Sequence, residues 1–147
     1  PVEGTIQACI HLIQMVDDDE EWLTTDKEDD TDIKSNSLTG EASIDRLACA
    51  LRGGVVLPRI TALLPGLMSS SNWQQRYAGV TTVSAIAEGC HQQMTKVLPD
   101  VLKQILIFCG DSHGRVRFAA ANCLGQLAID FQEKFTKMSH EQVKSFH

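Results

Sequence analysis

Apolar residues recur at helical spacing along most of the chain. The first segment shows the i, i+3, i+4, i+7 pattern in Ile6, Cys9, Ile10 and Ile13, and it predicts an amphipathic helix over residues 2–16. The same period resumes at Glu41 and continues, with short polar or glycine-containing breaks, to the end of the chain. About seven helices and no strand follow from this pattern, so we expect an all-α protein.

Glycine and proline predict where the second and third helices meet. Gly53-Gly54 should end the second helix, and the third should start near Val56 with Pro58 in its first turn. Pro65-Gly66 predicts a kink or an early end, because proline lacks the N–H that a helix interior needs.

Polar residues predict the later boundaries. Asn72 is a candidate N-cap, and the following partner helix should begin between Met94 and Leu98. Asp111 or Ser112 is expected to cap the next helix, which should run from about His113 to Asp130.

Two short motifs recur at one spacing. Val56-Leu57-Pro58 returns as Val97-Leu98-Pro99, and Arg76-Tyr77-Ala78-Gly79 returns as Arg117-Phe118-Ala119-Ala120, both after 41 residues. Periods of about 40 to 47 residues are typical of HEAT and armadillo units, each a pair of helices. The prediction is therefore a HEAT-repeat α-solenoid.

The period divides the 147 residues into three to four repeats, each packing only on its neighbours. Residues 1–16 are interpreted as the end of one repeat, 17–39 as an inserted loop, and 40–69, 70–110 and 111–147 as successive repeats, the last one truncated. We therefore expect a fragment of a longer array.

The net charge of −6 is concentrated in one segment. Residues 17–32 contain Lys27 and ten acidic residues, namely Asp17, Asp18, Asp19, Glu20, Glu21, Asp26, Glu28, Asp29, Asp30 and Asp32. The rest of the chain is slightly basic. An acidic chain does not favour nucleic acid, whose phosphates need a basic surface, and no apolar stretch is long enough for a membrane span.

Three interpretations of the acidic segment remain open from the residues alone. It is a solvated insertion, an electrostatic clamp for a basic partner, or an autoinhibitory loop that covers a basic part of its own array. Trp22 lies among the acids and favours docking onto the array or contact with an apolar part of a partner.

Catalytic and metal-binding patterns are weak. Cys90 and His91 are neighbours in sequence, which places them about 100° apart on a helix rather than facing each other. The five cysteines form no CxxC pair, the histidines have no zinc-ligand spacing, and residues 17–22 lack the alternation of a calcium loop. We expect no catalytic residue, no metal and no cofactor, and hence a binding protein rather than an enzyme.

Arg76 and Arg117 occupy equivalent positions in successive repeats. Recurrence at the period favours a structural ladder in which each arginine bonds to a neighbouring repeat, with Asp111 as a member. Trp73 is expected to pack between repeats.

The chain resembles a known family. HEAT repeats commonly carry an aspartate in the turn followed by Val-Arg and an alanine pair, and Asp111, Val116-Arg117 and Ala119-Ala120 match, whereas Ser70 replaces the aspartate one repeat earlier. Five stretches are similar to importin-beta-type nuclear transport receptors: residues 43–49, 56–58, 76–79, 84–94 and 115–120.

The resemblance implies a nuclear import receptor that shuttles between cytoplasm and nucleus. Its implied partners are Ran in the GTP form, basic cargo such as ribosomal proteins and histones, and Phe-Gly nucleoporins. It also implies that the acidic loop, with Trp22, contacts Ran or cargo. The alternative is a HEAT-repeat scaffold unrelated to Ran, of the phosphatase or chromosome-organising type.

Overall fold

The computed structural model describes residues 1–17 and 36–137. Six helices have defined bounds: α1 Val2–Gln14, α2 Asn36–Leu51, α3 Gly53–Met68, α4 Trp73–Ile86, α5 His91–Phe108 and α6 Gly114–Asp130. Residues 132–137 are helical as well, and the described ranges contain no strand. The expectation of about seven helices is confirmed.

The helices form two layers. Helices α2, α4 and α6 stack in one layer, α3 stacks on α5 in the other, and α1 packs on α2 and α4. The layers join because α3 packs on α4 and α5 packs on α6. Each helix contacts only its near neighbours, which is the arrangement of an α-solenoid. The predicted HEAT-repeat fold is confirmed, while the exact repeat boundaries stay a prediction.

A continuous apolar core lies between the layers. Its fully buried residues include one from each of the helices α2 to α6, namely Ile44, Ile60, Ile86, Leu98 and Leu127. Helix α4 is buried on nearly all sides along residues 78–83 because other helices surround it. Small side chains suit this position: a Cβ on Gly79 would lie 3.2 Å from Met68 Cγ.

Helix α2 starts at Asn36, so the predicted loop boundary at residue 39 was four residues too late. Ser37 is buried and its hydroxyl donates to the carbonyl of Ile13 at 3.0 Å. Gly40 lies so close to α1 that a Cβ there would be 2.5 Å from the Cys9 carbonyl oxygen. Contact with α1 therefore extends the helix into a polar stretch whose own pattern does not predict it.

The predicted start of α3 and its predicted early end were both wrong, while the alternative of a kink at Pro65-Gly66 stays a prediction. Gly53 and Gly54 form its first turn instead of a break, and the helix continues through Pro65 to Met68. Pro58 and Pro65 are both exposed, so water can satisfy the carbonyl groups whose helical partners the prolines remove. The break between α2 and α3 falls on Arg52, whose φ of 67° is the only positive value among the described non-glycine residues.

The later boundaries were partly correct. Asn72 is the N-cap of α4, where its Oδ1 accepts from the Gln74 N–H at 2.9 Å. Helix α5 starts at His91, earlier than expected. The N-cap of α6 is His113, whose Nδ1 accepts from the Arg115 N–H, rather than Asp111 or Ser112. None of the described helices has the length and apolarity that a membrane span requires.

Candidate functional site: an acidic groove across the α2, α4 and α6 layer

Four carboxylates line one groove along the α2, α4 and α6 layer. Glu41 and Asp45 come from α2, Glu88 follows the end of α4, and Asp130 ends α6. The groove encloses about 520 Å³, and its remaining lining is neutral: Leu38, Ala42, Ser84, Ala85 and Gln126. Among the residues that the structure describes, no basic side chain lines this groove. We call these four carboxylates and their surroundings the acidic groove.

Two of the groove carboxylates and a neighbouring thiol bring three potential ligand atoms together. A carboxylate oxygen of Asp45, the thiol of Cys49 and a carboxylate oxygen of Glu88 lie within 4.8 Å of one another. The Cys49 thiol donates to Asp45 Oδ1 at 3.8 Å. Farther along, both carboxylate oxygens of Asp130 accept from Gln126 Nε2 at 3.1 Å. Asp45 and Glu88 therefore keep more acceptor capacity for a ligand than Asp130 does.

Burial and like charges shift the pKa values of two groups in and beside the groove. Burial raises the pKa of Glu41, and the neighbouring Asp45 carboxylate raises it further. Burial also raises the pKa of the Cys49 thiol, and Asp45 and Glu88 add to that effect. Burial is the main cause of both shifts, and the neighbouring carboxylates add to it. A protonated thiol is a poor metal ligand, so the chemistry of this group favours an ammonium or guanidinium group over a metal ion.

Most of the predicted partner-binding residues lie outside the described part of the chain. Asp17 is exposed just after α1, whereas Asp18 through Asp32, Trp22 included, fall in the range that the structure does not describe. The assignment of these residues to partner binding stays a prediction.

The groove carboxylates were missed from sequence, although a signal existed: Asp45, Glu88 and Asp130 are 43 and 42 residues apart, close to the repeat period.

The predicted ladder residues Arg76 and Asp111 meet. Arg76 Nε and Nη2 donate to the two carboxylate oxygens of Asp111 at 2.8 and 3.0 Å, with side chains 14% and 8% exposed. The hydrogen bond to Asp111 raises the pKa of Arg76. Burial alone would raise the pKa of Asp111, but the bonds from Arg76 and the His113 N–H outweigh it, and the net shift is downward. This contact ties α4 to the turn before α6.

Arg117 makes the bond that lies within its own repeat. It is exposed, and its Nη1 donates to the Asp111 carbonyl at 2.8 Å. Arg76 makes the equivalent bond to the Ser70 carbonyl at 3.0 Å and adds the bond to Asp111 in the following repeat. The partner expected for Arg117 would stand 41 residues after Asp111, outside the given sequence, so its bond to a following repeat stays a prediction.

Aromatic rings reinforce the contact between α4 and α6. The rings of Trp73 and His113 stack with centroids 3.8 Å apart and an interplanar angle of 3°. Tyr77 meets the Trp73 ring edge-on at 6.5 Å. Trp73 therefore packs between successive repeats.

The Cys90-His91 pair is not arranged for catalysis. Cys90 is fully buried, and burial, with a smaller effect from Cys49, raises the pKa of its thiol to about 11. His91 Nε2 lies 2.9 Å from the Asp130 carbonyl, and its ring stacks on Phe131 at 4.5 Å. The imidazole is engaged with the end of α6 and does not activate the thiol.

A second groove, which we call the apolar groove, lies between α3 and α5. It encloses about 680 Å³. Leu57, Leu64 and Met68 line one side, and Val97, Val101 and Ile107 line the other. Val97 and Ile107 are 42% and 66% exposed, so the groove presents apolar surface to solvent. Asp100 is its single charged lining residue.

Family models match both ends of the described chain. An importin repeat model matches residues 2–58, and a HEAT repeat model matches residues 101–131. The chain is 28% identical over 146 residues to importin subunit beta-3 of Saccharomyces cerevisiae, covering 95% of this chain and 13% of that protein. It is 36% identical over 93 residues to a probable importin-5 homolog of Dictyostelium discoideum, covering 63% of this chain and 8% of that protein.

The chain is also similar to solved structures of an importin, the karyopherin Kap121p. The crystal structure of Kap121p bound to RanGTP superposes with a TM-score of 0.86 at 25% identity, over 97% of this chain and 14% of that one. Kap121p bound to Ste12p matches with the same TM-score, identity and coverage. The chain thus spans about an eighth of the length of these relatives.

These findings define the class of protein, a HEAT-repeat α-solenoid, and show that residues 2–58 are similar to an importin repeat. Within that class the chain is similar to importin beta-3, also called karyopherin beta-3 or importin five, and the resemblance predicted from sequence is confirmed.

Proposed function

We propose that this chain is a cargo-contacting part of a nuclear import receptor, and that the acidic groove receives a basic segment of the cargo protein. One observation carries the proposal: four carboxylates line a single groove whose described lining residues include no basic side chain, namely Glu41, Asp45, Glu88 and Asp130. The array acts by binding and performs no covalent chemistry. Its place of action is the cytoplasm and the nucleus, between which the receptor shuttles.

Charge and geometry support lysine or arginine as the group that is bound. A cation beside Asp45 and Glu88 would be attracted by two carboxylates whose oxygens lie within 4.8 Å of each other. Because the groove crosses three stacked helices, an extended segment suits it better than a single ion. Basic cargo such as ribosomal proteins and histones offers such segments.

The test is a titration of the chain with a lysine-rich peptide at low and at physiological salt. The double variant Asp45→Asn/Glu88→Gln should weaken binding at least tenfold, and the salt dependence should become shallower. Asp100→Asn is the matched control, because it removes one charge from the opposite layer. Equal affinity of the wild-type chain and the double variant would rule out the acidic groove as the binding site.

The acidic loop is proposed as a second contact element for a basic partner or for Ran. Its ten carboxylates supply a dense negative charge that raises the encounter rate with a cation. Neutralising residues 17–21 to Asn and Gln should lower the association rate at low salt and leave the helix content unchanged. If the rate constant does not change, the loop is a solvated insertion.

Ran is proposed as a partner because a protein with 25% identity to this chain, Kap121p, is bound to RanGTP in its crystal structure. Ran loaded with a GTP analogue should bind more tightly than Ran loaded with GDP. A HEAT scaffold of another class would show no such dependence, so equal binding of the two forms would favour the scaffold interpretation.

Phe-Gly nucleoporins are proposed for the apolar groove between α3 and α5. A phenylalanine ring can bury itself between Leu57 and Val101, while exposed Ile107 lies at the rim. Ile107→Ser should weaken binding of a Phe-Gly peptide severalfold. Ile129→Ser is the control, because Ile129 is 74% exposed and lies outside this groove. Equal effects of the two substitutions would show that the peptide binds elsewhere.

A further inference from the structure

A second polar cavity adjoins the acidic groove at the turn between α2 and α3. It encloses about 590 Å³, and we call it the turn cavity. The turn between α2 and α3 contributes Arg52 to its lining, and the turn between α4 and α5 contributes Glu88. Glu88 lines the acidic groove as well, so the two cavities meet at its side chain. A segment bound in the acidic groove can therefore continue into the turn cavity.

The backbone of Arg52 is strained. Its φ of 67° and ψ of 156° lie in a region that glycine adopts readily and other residues adopt only at an energetic cost. Glycine is nearby, because Gly53 and Gly54 follow directly and form the first turn of α3. The strained position nevertheless holds an arginine. Strain of this kind collects at functional sites, which indicates that the arginine side chain has a function.

The side chain of Arg52 makes no bond that would explain the strain. It is exposed, and its guanidinium forms no hydrogen bond or ion pair with the part of the chain that the structure describes. Lys134, two periods of 41 residues later, differs: its Nζ donates to the Thr95 carbonyl, which Pro99 deprives of its helical donor. Lys134 thus completes the hydrogen bonding of α5, whereas Arg52 is free to bind a partner.

Arg52 gives the turn cavity a charge that the acidic groove lacks. Four carboxylates line the groove, whereas the charged residues described in the turn cavity are Arg52 and Glu88, which form no ion pair with each other. His91 also lines the turn cavity, and its ring is already engaged with the Asp130 carbonyl. The sign of the charge therefore changes at Glu88, from negative in the groove to positive beside Arg52.

We infer that Arg52 is a specificity-determining residue for the segment that the acidic groove binds. It attracts an acidic residue next to the basic residue held at Asp45 and Glu88, and it repels a further lysine at that place. The inference rests on the proposed function of the groove. The partner is therefore a segment in which the charge changes sign, basic in the groove and acidic in the turn cavity.

A bound lysine changes the balance of charge around Glu88. Its ammonium group neutralises the Glu88 carboxylate, so the guanidinium of Arg52 is the charge that remains in the turn cavity. Attraction then favours a carboxylate over a neutral side chain there, and repulsion disfavours a second ammonium group. Binding sites discriminate between partners by such a repulsive contact together with an attractive one. Because Arg52 is exposed, salt screens the effect, and a preference of a few fold is expected.

The test is the affinity of the whole chain for labelled peptides, measured by fluorescence anisotropy at physiological salt. All peptides share one lysine-rich core, and they carry Glu, Ala or Lys on its amino-terminal side in one series and on its carboxy-terminal side in the other. In one series the Glu peptide should bind at least threefold more tightly than the Lys peptide, because its variable residue reaches Arg52. In the other series the order should be reversed, because that residue meets the remaining carboxylates of the groove.

Variants of Arg52 show whether this residue causes the preference. Arg52→Glu should reverse the order in the first series, and Arg52→Lys should preserve it. Arg46→Glu is the matched control, because Arg46 is exposed on α2 and lines neither cavity, and it should leave the order unchanged. Arg52→Gly should abolish the preference although it relieves the backbone strain, and circular dichroism checks that every variant is folded.

Two results overturn the inference while the proposed function stands. One is a Lys peptide that binds at least as tightly as the Glu peptide in both series. The other is an Arg52→Glu variant that changes their affinity ratio no more than Arg46→Glu does. The groove itself is tested by the Ala peptide: if Asp45→Asn/Glu88→Gln leaves its affinity unchanged, the proposed function fails, and the inference fails with it.

Discussion

The contact between Arg76 and Asp111 offers the sharpest test of how successive repeats are joined. Asp111→Ala removes both bonds to the guanidinium and also the acceptor for the His113 N–H at 2.9 Å. Asp111→Asn keeps an amide oxygen that can still accept from His113, so it removes mainly the ion pair. Comparing the two variants separates the contribution of the ion pair to stability from that of the hydrogen bond in the turn before α6.

The expected loss of unfolding free energy follows from how deeply the Arg76–Asp111 pair is buried. Exposed ion pairs contribute about 0 to 1 kcal/mol, whereas removing one partner of a buried pair costs about 3 to 5 kcal/mol. Side-chain exposures of 14% and 8% place this pair near the buried limit. Arg76 nevertheless keeps the carbonyls of Ser70 and Ser71 as acceptors after the loss of Asp111. We therefore expect a loss of about 2 to 4 kcal/mol for Asp111→Ala and about 1 to 2 kcal/mol for Asp111→Asn.

The assay is urea unfolding monitored by circular dichroism. A double-mutant cycle compares the wild-type chain with Asp111→Asn, Arg76→Met and the variant that carries both substitutions. A coupling energy of about 1.5 to 3 kcal/mol is expected at pH 7. Because the pKa of Asp111 is lowered in the fold, this stability is complete above the pKa of an unfolded aspartate, about 3.9, and disappears as the pH falls through the folded value. A coupling energy near zero at pH 7 would refute the reasoning.

Three further predictions concern single positions. Arg117→Ala should cost less than about 1 kcal/mol in urea unfolding, because Arg117 is exposed and its guanidinium donates to the Asp111 carbonyl; a loss above about 2 kcal/mol would mean that it holds a buried partner. Arg52→Gly should stabilise the chain by about 1 kcal/mol, since φ 67° and ψ 156° lie in a region that only glycine adopts without strain; a lower melting temperature would contradict this. Glu41→Gln should raise stability at pH 7 and have no effect near pH 3, because the raised pKa of Glu41 means that its ionised form destabilises the fold and that this penalty fades as the pH falls through the folded value. A pH-independent effect would show that packing, not charge, is responsible.

Local pattern and period determined the architecture of this protein. Helical spacing of Ile6, Cys9, Ile10 and Ile13 predicted α1, and the recurrence of Val-Leu-Pro predicted the pairing of α3 with α5 in equivalent positions. This works because a helix must bury an apolar stripe and a repeat must bury it against its own copy. Periodicity therefore specifies a solenoid without any knowledge of long-range contacts.

The ends of the helices could not be predicted from local sequence, because they depend on contacts with residues that are distant in the chain. Helix α2 reaches back to Asn36 because Ser37 bonds to the Ile13 carbonyl, and no feature of residues 36–40 alone requires that contact. Likewise, α3 tolerates Pro65 because the proline faces water in the folded array.

Only the tertiary structure decided which charges act together. The dense acids of residues 17–32 attract attention in the sequence, whereas Asp45, Glu88 and Asp130 are single residues on separate helices. Stacking of α2, α4 and α6 brings them into one groove. The physical reason is that Coulomb interaction depends on distance in space, which the repeat period constrains only to within a residue or two along each helix.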